Sequence, residues 1–217
     1  MFKGHCFPKV VILQAVYLKL RFSLSYRDVE ELLSIRGVLV DHATIQRWVY
    51  KFTPLIEVAF KKRRKTVGKS WRMDETYIKV KGRWMYLYRA VDKEGKTVDF
   101  LLTKRLAAHK FLLKAIGNNG SPKVINIDKS GANKEAIRTY NRRCLKKIKI
   151  RQNKYLNNRV EGDHRFIKWR IQNMLGFKSF QSASRTLTGI EIVRMIKKGQ
   201  ETLPAASRYR TFCSLGA

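Results

Sequence analysis

The sequence predicts a mixed α/β domain, a sheet flanked by helices, preceded by a small all-α domain. The hydrophobic period is helical up to about Lys62 and becomes strand-like after about Ser70. Further along, short apolar stretches alternate with helical ones, which is typical of a mixed sheet. The basic run KKRRK, Lys61–Lys65, lies at the change of period and is the predicted linker. We therefore expect an N-terminal domain at residues 1–62, an α/β domain at 63–200 and a C-terminal tail at 201–217.

Charge narrows the choice of partner. The 217-residue chain carries 47 Lys and Arg against 16 Asp and Glu, a net charge of +31. So many positive charges repel one another in a compact fold unless a polyanion binds nearby. Nucleic acid is the first candidate partner and a membrane surface is the second. No apolar run is long enough to span a bilayer. The three cysteines lack CxxC spacing, which argues against a zinc site or a disulfide framework and fits a reducing cytoplasm.

Two helices open the N-terminal domain. The first is predicted over Lys9–Leu20. The second follows Ser25, which with Asp28 forms a capping-box pattern, and Gly37 fits its C-terminal cap. Its predicted apolar stripe is Val29, Leu32 and Leu33.

A third helix begins after Asp41, a predicted N-cap. Its helical spacing predicts one buried face, made of Ile45, Trp48, Val49 and Phe52. The other faces carry polar and basic side chains: Thr44, Gln46, Arg47, Tyr50 and Lys51. Two short helices joined by a glycine-containing turn indicate a helix-turn-helix, and a plain helical hairpin with a solvated face is the alternative. The charge favours contact with DNA.

The α/β domain begins with three strand-like segments, ETYIKV, RWMYLYRAV and KTVDFLL. Breaks at Lys81–Gly82 and Lys93–Gly95 predict hairpin turns, so we expect an antiparallel meander. The remaining elements are expected in this order: a helix closed by Gly117, a strand at Lys123–Ile127 buried on both faces, a helix over GANKEAIRTYNRRCL, an edge-like strand at Lys146–Ile150, a basic helix from about Arg159 to Gln172, and a helix from about Phe180 to Gly199.

Three carboxylates interrupt these basic and apolar segments. Asp74 lies in the first strand, Asp128 follows a buried strand and Glu161 lies near the start of a basic helix. Acidic residues are disfavoured in strands, and a buried carboxylate needs a partner or a metal. Oxygen ligands meeting at one point suit Mg²⁺, and two such ions can clamp the attacking and leaving oxygens of a phosphoryl transfer.

Each carboxylate also has a structural interpretation. Asp74 can be an ion-paired strand residue, Asp128 can cap the next helix, and Glu161 with Asp163 can be favoured by a helix dipole. Other acids of the meander are rival candidates, namely Glu75, Asp92 and Asp99. Composition and spacing alone leave these alternatives open.

Long motifs resemble the transposases of the sixth bacterial insertion-sequence family. They are SYRDVEELLSIRGVLVDHATIQRWVYKF, MDETYIKVKGRWMYLYRAVD, INIDKS, KYLNNRVEGDHRFIKWR, GFKSF and GIEIVRMIKKGQ, and they cover nearly the whole chain. The resemblance implies a helix-turn-helix followed by a ribonuclease-H-like domain with a DDE triad. By motif, the triad is Asp74, Asp128 and Glu161, with Glu75 on the opposite face of the strand. By the same resemblance Lys168 contacts transposon-end DNA.

The resemblance also implies an activity. We expect binding to terminal inverted repeats, and Mg²⁺- or Mn²⁺-dependent strand cleavage and strand transfer in replicative, cointegrate-type transposition. The implied partners are double-stranded DNA and a second copy of the chain, in the bacterial cytoplasm at the nucleoid. Within the helix-turn-helix we expect Gln46, Arg47 and Lys51 to face the DNA.

Two other functions remain open. The stretch LLTKRLAAHKFLLKAIG is shorter than in the family, and Ile127 and Asn133 stand where Thr and Tyr are more common. A transposase relic that binds DNA without catalysis is therefore the alternative. A structural RNA-binding protein is a weaker one, based on the basic segment Arg142–Tyr155.

Overall fold

The computed structural model describes residues 4, 6–128, 131–145, 147–172, 174 and 176–216. The helices are α1 (Lys9–Arg21), α2 (Tyr26–Ser34), α3 (His42–Arg63), α4 (Ala108–Asn119), α5 (Gly131–Cys144), α6 (Lys154–Gln172), α7 (Phe180–Lys197) and α8 (Arg208–Ser214). The strands are β1 (Ser70–Val80), β2 (Arg83–Asp92), β3 (Thr97–Thr103), β4 (Val124–Ile127) and β5 (Lys149–Gln152). The chain forms two compact units, which we call the helical unit (Met1–Lys65 with Trp169–Ala217) and the sheet unit (Thr66–Lys168).

The capping box of α2 is confirmed. The hydroxyl of Ser25 accepts a hydrogen bond from the Asp28 backbone N–H, and the Asp28 carboxylate accepts one from the Ser25 backbone N–H. Val29 and Leu33 are buried as predicted. Leu32 is 40% exposed, so its assignment to the buried stripe was wrong and the apolar face is narrower than the sequence suggested.

Helix α3 is longer than predicted. Asp41 caps it, accepting hydrogen bonds from the backbone N–H groups of Ala43 and Thr44. The predicted face of Ile45, Trp48, Val49 and Phe52 is buried. The helix then continues through Pro54 to Arg63, so Lys61–Lys65 is not simply a linker. The first three residues of this basic run, Lys61 to Arg63, form the last turn of α3, where cations interact favourably with the helix dipole.

The C-terminal segment completes the helical unit. Helix α7 packs against α1 and α3, and α8 packs against α1 and α7. Gly189 of α7 lies so close to α1 that a Cβ atom built there would be 2.5 Å from Leu20 Cδ2. These compact units differ from the predicted division, because α7 belongs with the N-terminal helices and the expected tail contains a helix.

The sheet unit contains a five-stranded mixed sheet in the order β3-β2-β1-β4-β5. The predicted antiparallel meander β1-β2-β3 is confirmed, and β4 runs parallel to both β1 and β5. Lys81 and Gly82 both have positive φ, 47° and 76°, as a type I′ hairpin turn requires. Helices α4 and α5 cover one face of the sheet, burying a core that includes Trp71, Phe111 and Ile137. The predicted mixed α/β sheet flanked by helices is confirmed.

Three boundaries differ from the predictions. Helix α4 ends at Asn119 with Gly120 as its C-cap at a φ of 73°, so Gly117 lies inside the helix and is not the cap. The edge strand β5 is shifted towards the C-terminus, to Lys149–Gln152. Helix α6 begins at Lys154, before the predicted Arg159.

No helix within the described ranges is both long and apolar enough to span a membrane.

Candidate active site

Two carboxylates come together where β1 and β4 run side by side. Along β1, Trp71 and Met73 face the core beneath α4 and α5, so Arg72 and Asp74 face the other side of the sheet. Arg72 pairs with Asn126 of β4 in parallel register. Asp128 lies two residues beyond Asn126, as Asp74 lies two beyond Arg72. The same strand alternation therefore places Asp128 beside Asp74 on this face.

Glu75 points away from this site, as expected for the next residue of a strand. Its carboxylate accepts a hydrogen bond of 2.7 Å from the Asn133 side chain of α5. Helix α5 lies on the core face of the sheet. Glu75 is therefore occupied on the opposite side from Asp74.

Helix α6 covers the face that bears Asp74, and polar side chains attach it to three strands. The Asn126 amide of β4 donates to Asn157 Oδ1 at 2.6 Å, and both residues are buried. Arg89 of β2 pairs with Asp163 at 3.2 Å, also buried. His164 Nδ1 lies 3.5 Å from Asp74 Oδ2.

The third carboxylate lies on α6 between these attachment points. Glu161 is one turn after Asn157 and one turn before His164, on a more exposed part of the helix. Because Asn157 reaches β4 and His164 reaches Asp74, this stretch of α6 lies over the two aspartates.

Electrostatics show that the three groups interact. Burial, followed by the negative charges of Glu75 and Asp128, raises the pKa of Asp74 to about 7, and Glu161 adds to the shift. Carboxylates that repel one another in a chain with few acids form a natural site for a cation. Their oxygens are the ligands that Mg²⁺ and Mn²⁺ prefer.

The three carboxylates are spread wider than the ligands of a single compact ion site. Within the described ranges, Glu30, Asp41 and His42 are the only trio whose ligand atoms all lie within 4.8 Å of one another. A pair of ions about 4 Å apart accommodates a wider ligand set.

Comparison with known proteins identifies the family of this chain. A family model described as a DDE domain matches residues 68–200. The transposase for insertion sequence-like element IS431mec of Staphylococcus aureus is 40% identical over 211 residues, which are 93% of this chain and 91% of that protein. The transposase for insertion sequence element IS257 in transposon Tn4003, from the same species, matches to the same extent.

The chain belongs to the DDE transposases of the sixth bacterial insertion-sequence family.

Two solved integrase domains show low structural similarity to this transposase. The HTLV-2 integrase catalytic core domain, in a structure with magnesium, has a TM-score of 0.44 at 17% identity, covering 69% of this chain and 99% of that one. The catalytic core domain of BIV integrase has a TM-score of 0.43 at 15% identity, covering 68% of this chain and 95% of that one.

The rival acids of the transposase have structural partners. Asp92 accepts hydrogen bonds from the backbone N–H groups of Gly68, Glu94 and Lys96, which closes the β2–β3 turn. Asp99 pairs with Lys114 at 2.7 Å and also accepts a hydrogen bond from Asn118. These contacts account for both acids without a role at the site.

Sequence reasoning missed His164. Burial, followed by the positive charge of Arg89, lowers the pKa of His164 to about 3, so the imidazole beside Asp74 is neutral. The four histidines of the sequence lack HExxH spacing, so no metal-binding motif points to His164. The signal that could have found His164 is its position one helical turn after Glu161.

The predicted DNA-contact residues lie on exposed helix surfaces, with one exception. Arg47 and Lys51 are exposed one turn apart on α3, and Lys168 is exposed on α6. Gln46 is only half-exposed, and its side-chain amide donates to the Tyr50 hydroxyl at 3.2 Å. Gln46 is therefore already engaged within the helical unit.

Proposed function

We propose that this transposase binds the terminal inverted repeats of its own insertion sequence and catalyses DNA strand cleavage and strand transfer. The observation that carries the proposal is the shared electrostatic field of Asp74, Asp128 and Glu161, which come from β1, the end of β4 and α6. Near-complete coverage by relatives that are insertion-sequence transposases supports it. In the family's pattern the outcome is replicative, cointegrate-type transposition.

Catalysis requires a divalent ion, and Mg²⁺ is the proposed one, with Mn²⁺ as a substitute. Asp74, Asp128 and Glu161 would hold it. When bound, it supplies Lewis-acid stabilisation of the charge on the reacting phosphoryl oxygens.

The protein's own groups position the substrate. Water and then a DNA 3′-hydroxyl act as nucleophiles, so no protein side chain forms a covalent intermediate. His164 and the Arg89–Asp163 pair hold α6 against the sheet, which keeps Glu161 near the two aspartates. We assign a DNA phosphate contact to Lys168, which is exposed on α6 two turns after Glu161.

Recognition of the element ends is assigned to α3. Arg47 can contact a guanine edge with two hydrogen bonds, and Lys51 suits a phosphate. Gln46 reaches a base only by releasing Tyr50. We propose that the protein acts as a homo-oligomer, at least a dimer, on double-stranded DNA at the bacterial nucleoid in the cytoplasm, because two element ends have to be joined to one target.

The test is a strand-transfer assay with labelled element ends in Mg²⁺, beside an end-binding assay. Glu161→Gln keeps the shape of the side chain and removes its charge. We expect folding and end binding to be retained, and transfer to fall by at least about 100-fold, since ion-mediated charge stabilisation contributes several kcal/mol. Glu135→Gln, at an exposed position of α5 in the same unit, is the matched control and should transfer normally. Normal transfer by Glu161→Gln would remove Glu161 from the site.

One observation favours a second candidate function. The three carboxylates do not bring their ligand atoms within 4.8 Å of one another. A relic that binds element ends without catalysis would tolerate such spacing. Wild-type protein that binds ends tightly but transfers no strands in Mg²⁺ or Mn²⁺ would establish this alternative.

A further inference from the structure

The β1–β2 hairpin carries aromatic residues on the face opposite Asp74. Tyr77 pairs with Tyr86, and Lys79 pairs with Trp84, across the two antiparallel strands. Directly opposed residues share one face, so these four side chains lie together. Trp84 is 62% exposed and Tyr77 is 48% exposed. We call this group of four residues the hairpin face.

The hairpin face is anchored in the hydrophobic core. The ring centroids of Tyr77 and Tyr86 are 5.2 Å apart, and those of Tyr86 and Tyr88 are 6.4 Å apart. Tyr88 in turn stacks on Phe111 of α4 at 5.8 Å, and both of these rings are fully buried. A continuous row of rings therefore runs from the core to Tyr77 at the surface, which holds that exposed ring in place at a low cost in conformational entropy.

The surroundings of the hairpin face are basic. The sequence from Thr76 to Val91 contains no acidic residue. Lys79, Lys81 and Arg83 are exposed on this part of the hairpin, and Lys79 Nζ lies 5.9 Å from the Trp84 ring centroid. The nearest acid on the same face is Glu75, which is half-buried and accepts a hydrogen bond from Asn133. This combination suits a partner with flat rings and negative charge.

We propose that the hairpin face stacks unpaired bases of a DNA strand. Exposed aromatic residues beside cations are how proteins bind single strands, because every base has a π face and every nucleotide carries a phosphate. Contiguous exposed aromatic surface is uncommon on a protein unless it binds something. The inference rests on the proposed function in taking DNA as the partner. It adds a site for unpaired nucleotides, such as those near a cleaved strand end, which unstack at little cost.

The test measures binding of the full-length protein to two probes at fixed salt: a labelled oligo-dT single strand of about 20 nucleotides and a random duplex of the same length. Trp84→Ala and Tyr77→Ala should each weaken single-strand binding about ten-fold, the loss expected when one base stack is removed. Duplex affinity should change by less than about two-fold, and Trp84→Phe should retain most of the single-strand affinity. The salt slope of single-strand binding should not change, since stacking releases no counterions. Leu113→Ala, at a 46% exposed position of α4, is the control and should leave both affinities unchanged.

Three outcomes would overturn the inference. Equal losses on both probes would mean that the face contacts the phosphate backbone. Unchanged DNA binding with a changed mass by light scattering would mean that the face binds a second copy of the chain. No change in either measurement would mean that the face has no such partner. Strand transfer separates this inference from the proposed function, because Glu161→Gln should bind oligo-dT normally even though it transfers no strands.

Discussion

Asp74 illustrates, at the scale of a single residue, how burial and charge prepare a site for a ligand. Burial removes water from around Asp74, and the negative charges of Glu75, Asp128 and Glu161 act on it. Both effects penalise the ionised form. The metal-free protein therefore holds Asp74 in an unfavourable state at neutral pH, which a bound cation would relieve.

This state predicts an unusual pH dependence. The pKa of Asp74 is about 7 in the folded protein, above its ordinary value of about 3.9, so the folded state binds more protons between these values. Protonation of Asp74 therefore stabilises the folded, metal-free protein at low pH. This contribution to the free energy of unfolding should be lost as the pH rises from about 4 to about 7. His164 contributes with the opposite sign, since its folded pKa is about 3 and its ordinary value is about 6.5.

The comparison with Asp74→Asn isolates the effect of Asp74. Denaturant unfolding without metal measures the free energy of unfolding of both proteins. We expect the wild-type value minus the Asp74→Asn value to decline as the pH rises from about 4 to about 7. Mg²⁺ at pH 8 should then raise the Tm of wild type and not that of Asp74→Asn. A flat difference, together with equal Mg²⁺ effects on both proteins, would contradict the assignment.

The elements that the sequence predicted well are those with local signals. The Ser25–Asp28 cap and the Lys81–Gly82 turn depend only on neighbouring residues, and both were predicted correctly. The extension of α3 through Pro54 was missed, because packing of α3 against α7 outweighs the local cost of a proline.

For the candidate site, the sequence motifs predicted which residues take part but not their geometry. The motifs indicated Asp74, Asp128 and Glu161. Their proximity depends on the parallel register of β1 with β4 and on which face α6 covers, and neither is a local property. The sequence marks His164 only by its position one helical turn after Glu161, and its contact with Asp74 depends on that packing.

The close contact between α1 and α7 makes stability sensitive to substitution at Gly189. Gly189→Ala would place a methyl group 2.5 Å from Leu20, and relieving this overlap should cost about 1–3 kcal/mol of stability. Urea unfolding measures the loss. Adding Leu20→Ala to Gly189→Ala opens space for the methyl group, so the double variant should lose less than the sum of the two single losses. Additive losses would show that α1 and α7 separate easily.

We expect two residues of α3 to contribute differently to DNA binding, one through a base and one through a phosphate. Arg47→Ala should reduce the preference for element ends over random duplex about ten-fold, the effect of losing a bidentate base contact. Lys51→Ala should weaken both equally and lower the salt slope by about one, because it removes a phosphate contact. Binding of the full-length variants to both duplexes at several salt concentrations measures this. An unchanged preference in Arg47→Ala would mean that another element reads the sequence.

At the scale of the whole molecule, several basic side chains lie close enough together to repel one another. Repulsion by Arg21, together with burial and with Arg170, Arg194 and Arg208, lowers the pKa of Lys197. All five side chains belong to the helical unit. Such crowding is unfavourable in the isolated protein and is relieved by a polyanion, so the distribution of charge within this unit agrees with a DNA-binding role.

The order in which a ribosome makes the chain has a consequence for this fold. The helical unit needs residues from both ends of the sequence, since α1 and α3 pack against α7. While α7 is still inside the ribosome, α1 and α3 have been made but lack the surface that buries them. A transposase chain cut short before α7 therefore lacks a complete helical unit. Since we propose that α3 reads the element ends, we expect such a truncated chain to bind them poorly.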